Sequence, residues 1–314
     1  MISMNSTINP DQEVISSIEL ITKYMSLFGF IVSTSGIVLN ILSFQTARQL
    51  GKFNSSIVFI RLLALWDSSS IAIDGILDLG GRLIDLNFAN VSSLACKMFY
   101  LHNWGTGFAA NFQLVALVFD RFLAIKFPVW YRASPNLKFA YMTSLTTALF
   151  SYGVTLPSLF LFELEDGVCK MTGNEQFFFW YLRFLVFFIY ISLPFCLILF
   201  FNGFFIKFLL TKKITNSERS SQEHTMVIML ASVSFTFLVF TLACGVILLW
   251  NFQFKIVTSL DYAISNLTNI LSQIPAILNS SLNFIFFFLS GKGYRNAFYK
   301  LAATYSCKYF HKQI

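Results

Sequence analysis

Seven long apolar runs constrain the fold of this chain more than any other feature. They lie at residues 24–44, 56–77, 96–118, 139–162, 178–210, 225–250 and 264–289, between polar breaks that carry Lys and Arg. A hydrocarbon core about 30 Å thick needs about 20 apolar helical residues, so each run can cross a bilayer. Uninterrupted apolar runs exclude barrel strands, since those alternate in polarity. The sequence predicts an all-α membrane protein, a seven-transmembrane helix bundle.

Composition and charge agree with this prediction and orient the chain. Only 12% of residues are charged, against about 25% in soluble domains, which excludes a water-soluble single domain. Most of the 22 Lys and Arg fall on the side that holds the C-terminus, so the positive-inside rule places that end in the cytoplasm. The net charge of +7 then reflects topology and the anionic inner leaflet, and we expect no nucleic-acid binding. The predicted parts are an extracellular N-terminus (1–23), a membrane domain (24–290) and a cytoplasmic amphipathic helix with tail (291–314).

Outer-side residues predict covalent modifications. Asn5 and Asn90 begin Asn-x-Ser/Thr sequons on the predicted extracellular side, although Asn54 begins one on the inner side, so the triplet alone is weak evidence. Cys96 and Cys169 both lie on the outer side, where an oxidising compartment makes a disulfide bridge plausible.

Motifs for catalysis are absent from the sequence. The three His residues have no metal-ligand spacing, and no phosphate-binding loop, His-Glu-x-x-His or Gly-x-Ser-x-Gly occurs. We therefore expect a protein that is not an enzyme and needs no cofactor. Acidic residues inside membrane spans usually have a function, and Asp67 and Asp74 are two of them.

A series of motifs falls in order along the seven spans. Helix three ends in Asp120-Arg121-Phe122, followed by Pro128, and Cys96 opens the same helix. Further matches are Gly36 to Asn40 in helix one, Leu63-Ala64-Leu65-Trp66-Asp67 in helix two, Pro194 in helix five and Asn279-Ser280-Ser281-Leu282-Asn283 in helix seven. Together they resemble a rhodopsin-like (class A) G-protein-coupled receptor. Thr241-Leu242 in place of the helix-six Trp motif is similar to invertebrate peptide receptors of the FMRFamide-receptor-like kind.

This resemblance implies a plasma-membrane receptor that activates a heterotrimeric G protein, and arrestin is a further expected partner. At rest Arg121 would pair with Asp120 and with Glu223 at the inner end of helix six, and release would let helix six move outward. Cys96 lies 25 residues before Arg121, a spacing that resembles that of the helix-three cysteine in this family. After Ser290 an amphipathic pattern predicts an eighth helix on the membrane lipid, in which Cys307 is either a palmitoylation site or a free thiol.

Polar residues at mid-membrane depth form a second predicted group by family register. They are Asn40, Asp67, Asn279, Ser280 and Asn283. Together they could hold a Na⁺ ion or a hydrated proton, or Asp67 could be a neutral acid that joins helices through hydrogen bonds. Ala110 stands where the family's ion site usually has Ser, which lowers the weight of the sodium interpretation.

A ligand site is predicted in the outer half of the bundle. Its candidate residues are Asp74, His102, Asn103, Trp104, Arg183 and Gln273. Asp74 could meet a ligand cation, or it could form an ion pair with Arg183 or Arg82. Asn103 stands where amine receptors have an Asp, which speaks against an amine. An aromatic and polar site of this kind suits the terminus of a small amidated neuropeptide.

Departures from the family pattern leave other functions open. Helix six lacks the family's Trp and Pro, so we expect it to be straighter, and the chain could be a constitutive or a decoy receptor. A transporter or channel that uses Asp67 and Asp74 as ion relays is the alternative from another class. The odd number of spans and the lack of duplicated halves oppose it.

Overall fold

The computed structural model describes residues 10–50, 55–133, 136–172, 175–211, 218–251 and 257–310. Among these residues, seven helices are long and apolar enough to cross a membrane, which confirms the predicted helix bundle. They are α1 (Pro10–Gln49), α2 (Ser55–Leu83), α3 (Ser93–Lys126), α4 (Asn136–Thr155), α5 (175–211), α6 (Glu218–Asn251) and α7 (Ser259–Ser290). We use "inner" for the side that the positive-inside rule places in the cytoplasm.

Close helix packing gives the bundle its order. α1 packs on α2 and α7, α6 packs on α7, and α3 lies between α2, α4 and α5. Small residues stand where helices approach: Gly36 of α1 faces Ser281 of α7, and Gly75 of α2 faces Ser33 of α1. Lipid supplies no hydrophobic drive for helix association, so such close contacts and van der Waals packing must hold the helices together. Fully buried phenylalanines fill the inner half of the core, namely Phe59, Phe205, Phe237 and Phe287.

Two spanning helices contain π-helical segments that the sequence analysis did not predict. They are Ala72–Leu79 in α2 and Leu185–Ser192 in the middle of α5. In α5, Ser192 Oγ donates to the Phe187 carbonyl five residues earlier, at 2.6 Å. A π-segment has a wider turn, so it changes which side chains face the bundle. The chain between Asp67 and Asp74 is therefore partly π-helical.

A short β-hairpin lies on the outer side, in the connection between α4 and α5. It consists of β1 (Phe162–Glu165) and β2 (Val168–Met171), and it begins at residue 162, where the predicted fourth span ends. Asp166 (φ 53°) and Gly167 (φ 75°) form its turn. An Asp-Gly pair at positive φ is a preferred two-residue hairpin connection, which explains the fold of this loop.

The first spanning helix is longer than the sequence predicts. α1 begins at Pro10, well before the apolar run at 24, with Asp11 and Glu13 in its first turn. Proline at the first helical position and acids beside the positive end of the helix dipole favour this start.

After α7, a further helix α8 (Lys292–Phe310) buries Tyr294, Ala297 and Leu301. The side chain of Cys307 and the whole of Asn5 lie outside the described residues.

Candidate functional site

A buried carboxylate lies at the inner end of the bundle. Asp120, near the end of α3, is 0% exposed. Ser55 Oγ donates to its Oδ1 at 2.7 Å, and Ser56 Oγ donates to its Oδ2 at 2.9 Å. Tyr131 OH donates to Oδ1 at 2.8 Å, while Arg121 donates from Nε and Nη2 to Oδ2 at 3.1 and 2.8 Å. Burying a charge is costly unless it is paired and hydrogen-bonded, and this donor set compensates that cost.

Tyr131 reaches this carboxylate from the short helix Pro128–Ala133, between α3 and α4. Burial raises the pKa of the Tyr131 phenol, against the opposing effect of the Arg121 charge. The hydroxyl therefore keeps its proton at neutral pH and acts as a donor. Arg121 Nη2 in turn donates to the Tyr131 oxygen at 3.3 Å, and Arg121 is only 8% exposed. We define the Asp120 clamp as Asp120 with Ser55, Ser56, Arg121 and Tyr131.

The predicted coupling switch has two further residues, Phe122 and Glu223. Phe122 packs against α5, with its ring centroid 5.2 Å from that of Phe201 and 4.8 Å from that of Phe204. The side chain of Glu223 on α6 lies outside the described residues, so its pairing with Arg121 stays a prediction.

The mid-membrane group centres on Asp67, which is 2% exposed. Asn283 Nδ2 donates to Asp67 Oδ2 at 2.7 Å, and the Ser280 hydroxyl also bonds this carboxylate. Asn40 Nδ2 donates to the Ser280 carbonyl at 2.9 Å, which joins α1 to the same part of α7. Asn279 is half-buried on α7.

One oxygen of this group, Asn40 Oδ1, is buried and has no hydrogen-bond partner among the described residues. Asp67 accepts hydrogen bonds from an amide and a hydroxyl, whereas a hard cation binds several oxygen ligands. The sodium site and the neutral, hydrogen-bonded Asp67 therefore both stay predictions.

The outer half of the bundle contains a small cavity of about 80 Å³. Asp74 stands in it, where Asn103 Nδ2 donates to Asp74 Oδ1 and Ser70 Oγ donates to Oδ2 at 3.4 Å. α3, α5, α6 and α7 supply the rest of the wall, which includes Trp104, Tyr190, Cys244, Asn269, Ser272 and Gln273. One acid, three amides and two aromatic residues thus line a single space.

Arg82 does not pair with Asp74, and this predicted alternative was wrong. Arg82 Nε donates to Asp78 Oδ1 at 3.0 Å, one helical turn away, and Arg82 Nη1 donates to Asn266 Oδ1 at 2.6 Å. Gln273 Nε2 donates to Asp78 Oδ2 at 2.6 Å. This second acid therefore takes the arginine and ties α2 to α7 above the cavity, which leaves Asp74 to Asn103 and Ser70.

The remaining predicted ligand residues fall in different places. Trp104 lines the cavity, with its ring centroid 6.1 Å from that of Phe108. His102 instead turns toward α4, where its Nδ1 lies 3.1 Å from the Tyr152 hydroxyl. Arg183 is half-buried at the outer end of α5 and is not among the residues that line the cavity.

The hairpin is fixed to the top of α3. Cys96 and Cys169 form a disulfide with 5.5 Å between their Cα atoms, which confirms the predicted bridge. Beside it, Tyr100 stacks on Phe162 with 3.6 Å between ring centroids. The predicted sequon residue Asn90 accepts the Cys169 backbone N–H through Oδ1 at 2.8 Å. The disulfide, the stacked rings and this bond hold β1 and β2 at the outer edge of the bundle.

The family model for the 7 transmembrane receptor (rhodopsin family) matches residues 84–286, well over half of the 314-residue chain. The chain belongs to the rhodopsin family of seven-transmembrane receptors. It is therefore a multi-pass plasma-membrane protein of a family that binds extracellular ligands and signals through G proteins, and whose members are receptors rather than enzymes. No curated protein matches its sequence.

Several residues of the receptor's sites were missed by the sequence analysis. Ser55, Ser56 and Tyr131 complete the Asp120 clamp, and Tyr190 and Cys244 line the cavity. For Asp78 a sequence signal existed, because Asp78 and Arg82 stand four residues apart on one helix face. For the three clamp hydroxyls there was none, since their positions depend on helix tilt and loop path.

Proposed function

We propose that this receptor binds a small amidated peptide in its outer cavity and, when bound, activates a heterotrimeric G protein at the inner ends of α3, α5 and α6. The Asp120 clamp is the observation that supports the proposed activation of a G protein. Arg121 is turned inward against Asp120 and Tyr131 and is almost fully buried. A partner that binds this side needs Arg121 exposed, so the clamp describes an uncoupled arrangement. Ligand binding would shift the balance toward an open one.

Cavity chemistry supports an amide-terminated ligand. The carboxylate of Asp74 accepts N–H donors and repels a free carboxylate, while the Asn103 and Gln273 amides line the same space. A terminal carboxamide offers two N–H donors and one acceptor and carries no charge. A cavity of about 80 Å³ admits only the end of a peptide, so the rest of the ligand would lie toward the hairpin. There the exposed Glu163, Glu165 and Asp166 would attract basic residues.

The test uses matched ligands in cells that carry a promiscuous G protein. Second-messenger responses are recorded for a panel of amidated peptides, for the same peptides as free acids, and for monoamines. We expect responses to amidated peptides alone, since a free carboxylate would face Asp74. A monoamine response, or equal responses to acid and amide forms, would refute the ligand class.

Arg121→Ala is the control for coupling. Ser55, Ser56 and Tyr131 still donate to Asp120 in this variant, so the buried carboxylate keeps partners and we expect surface expression to persist. The second-messenger response should fall to background. An unchanged response at equal surface expression would contradict the proposed coupling site.

A further inference from the structure

A groove opens between α1 and α2 on the lipid-facing side of the bundle, apart from the cavity and the clamp. Its volume is about 170 Å³, and its lining includes Ile41, Phe44, Arg48, Ala64, Leu65 and Ser68. Ile41 and Leu65 are 48% and 47% exposed, so the groove faces outward. Among the described residues that line it, none carries a carboxylate. We call this feature the α1–α2 groove.

Arg61 stands beside this groove without a counter-charge. Its Cζ lies 5.0 Å from the centroid of the Phe44 ring, which is part of the groove wall. Its Nε is buried and has no hydrogen-bond partner. Within the described ranges, no ion pair to Arg61 occurs. A buried donor of a charged group normally has an acceptor, so we expect an anionic group to bind Arg61.

The two arginines of this region converge because their helices are antiparallel. Side chains of a helix tilt toward its N-terminus. α1 has its N-terminus outside, so Arg48 in its last turn leans back toward the groove. α2 has its N-terminus inside, so Arg61 leans toward the inner surface. Both guanidinium groups therefore approach one level, at the inner end of the α1–α2 groove.

The apolar part of the groove extends from that level into the membrane. Ile41 and Arg48 are seven residues apart on one helix, which corresponds to about 10 Å along the axis. An acyl chain fits such a length, whereas a free inorganic anion would leave it unfilled. Anionic phospholipids are enriched in the cytoplasmic leaflet, which is the leaflet at this level.

We propose that an anionic glycerophospholipid of the inner leaflet binds here, with its phosphate between Arg48 and Arg61 and one acyl chain in the α1–α2 groove. Guanidinium groups bind phosphate through two parallel N–H donors, which gives this contact both strength and geometry. The lipid phosphate is the counter-charge of Arg61, for which the described residues provide none.

Native mass spectrometry of the purified full-length receptor tests this proposal. Detergent-solubilised receptor is titrated with phosphatidylserine, with phosphatidylcholine of the same acyl chains, and with soluble glycerophosphoserine. We expect retention of phosphatidylserine about tenfold above phosphatidylcholine, because both lipids carry the phosphate but the two guanidinium groups repel the choline cation of phosphatidylcholine. Equal competition by glycerophosphoserine would overturn the proposal, because the acyl groove would then contribute nothing.

Three variants separate the parts of the site. Arg61→Gln should remove about tenfold of the phosphatidylserine retention. Ile41→Trp fills the groove, leaves both guanidinium groups in place and should lower retention of both lipids. Lys138→Gln, at an exposed cation on the inner end of α4, is the matched control and should change nothing. Full retention by Arg61→Gln, or an equal loss in Lys138→Gln, would show attraction by bulk charge and would overturn the site.

Discussion

Removing the hydroxyl of Tyr131 tests the Asp120 clamp without any knowledge of the ligand. Tyr131→Phe keeps the ring in place and deletes one oxygen. That oxygen donates to Asp120 Oδ1 at 2.8 Å and accepts from Arg121 Nη2 at 3.3 Å. If both contacts belong to the uncoupled arrangement alone, the substitution destabilises that arrangement and leaves the coupled one unchanged. Signalling without ligand should therefore rise.

The size of this effect follows from the contacts that remain. A hydrogen bond to a charged group contributes about 1.5–3 kcal/mol. Ser55 still donates to the same Oδ1 of Asp120 at 2.7 Å, so the loss lies near the lower end of that range. A change of about 1.4 kcal/mol is a tenfold change in an equilibrium constant. Because a minor conformer typically has a population of about 0.1–10%, basal activity should rise roughly tenfold until it saturates.

Basal nucleotide exchange on purified heterotrimeric G proteins measures this change, normalised to receptor concentration. Tyr141→Phe is the matched control, because Tyr141 is a tyrosine of α4 that is 54% exposed toward lipid. The double variant Tyr131→Phe with Arg121→Ala should return exchange to background, since coupling requires the arginine. Wild-type basal exchange in Tyr131→Phe, with the receptor folded and G proteins active, would refute the clamp as a restraint.

Two further predictions concern the outer disulfide and the junction of α8. Cys96→Ser and Cys169→Ser should give the same defect in trafficking or binding, since each breaks the bond that ties β2 to α3; two different phenotypes in a surface-expression assay would argue against a shared role. Tyr294→Phe should lower the free energy of unfolding by about 1 kcal/mol, because the buried Tyr294 OH donates to Ser43 Oγ of α1 at 2.9 Å. Thermal unfolding in detergent measures this, with the exposed Tyr299→Phe as control, and equal curves for the two variants would disprove it.

Hydropathy predicted the seven helices because the bilayer leaves the backbone so few alternatives. It could not predict where α1 begins, since the polar stretch from Pro10 lies beyond the apolar run and depends on capping preferences. It also gave no sign of the π-segments in α2 and α5. Their register depends on tertiary contacts such as Gly75 against Ser33, which a single helix does not reveal. The hairpin had a local turn signal in the sequence, Asp166-Gly167, but its strands are too short to give a clear pattern.

The sequence predicted contacts between residues that are close in the chain, but it did not predict contacts between distant segments. Asp120 and Arg121 are neighbours in the chain, so their pairing follows from the motif. Tyr131 and Ser55 reach the same carboxylate from other segments, and no spacing rule places them there. For Asp74, the sequence offered two arginines as partners, but Arg82 lies one helical turn from Asp78 and bonds that acid instead. Arg82 therefore pairs with Asp78, one turn away on the same helix, and not with Asp74.

The uninterrupted α6 bears on how the two ends of the receptor communicate. α6 runs from Glu218 to Asn251 as one helix, and its sequence contains no proline. Such a helix moves as a rod, so a displacement at its outer end must be transmitted to its inner end. Cys244 lines the outer cavity, and the next residue, Gly245, lies so close to Ile191 in the π-segment of α5 that an added Cβ would overlap it. Because Gly245 has no side chain, α6 packs directly on this π-segment, and a larger residue at position 245 would have to push the two helices apart.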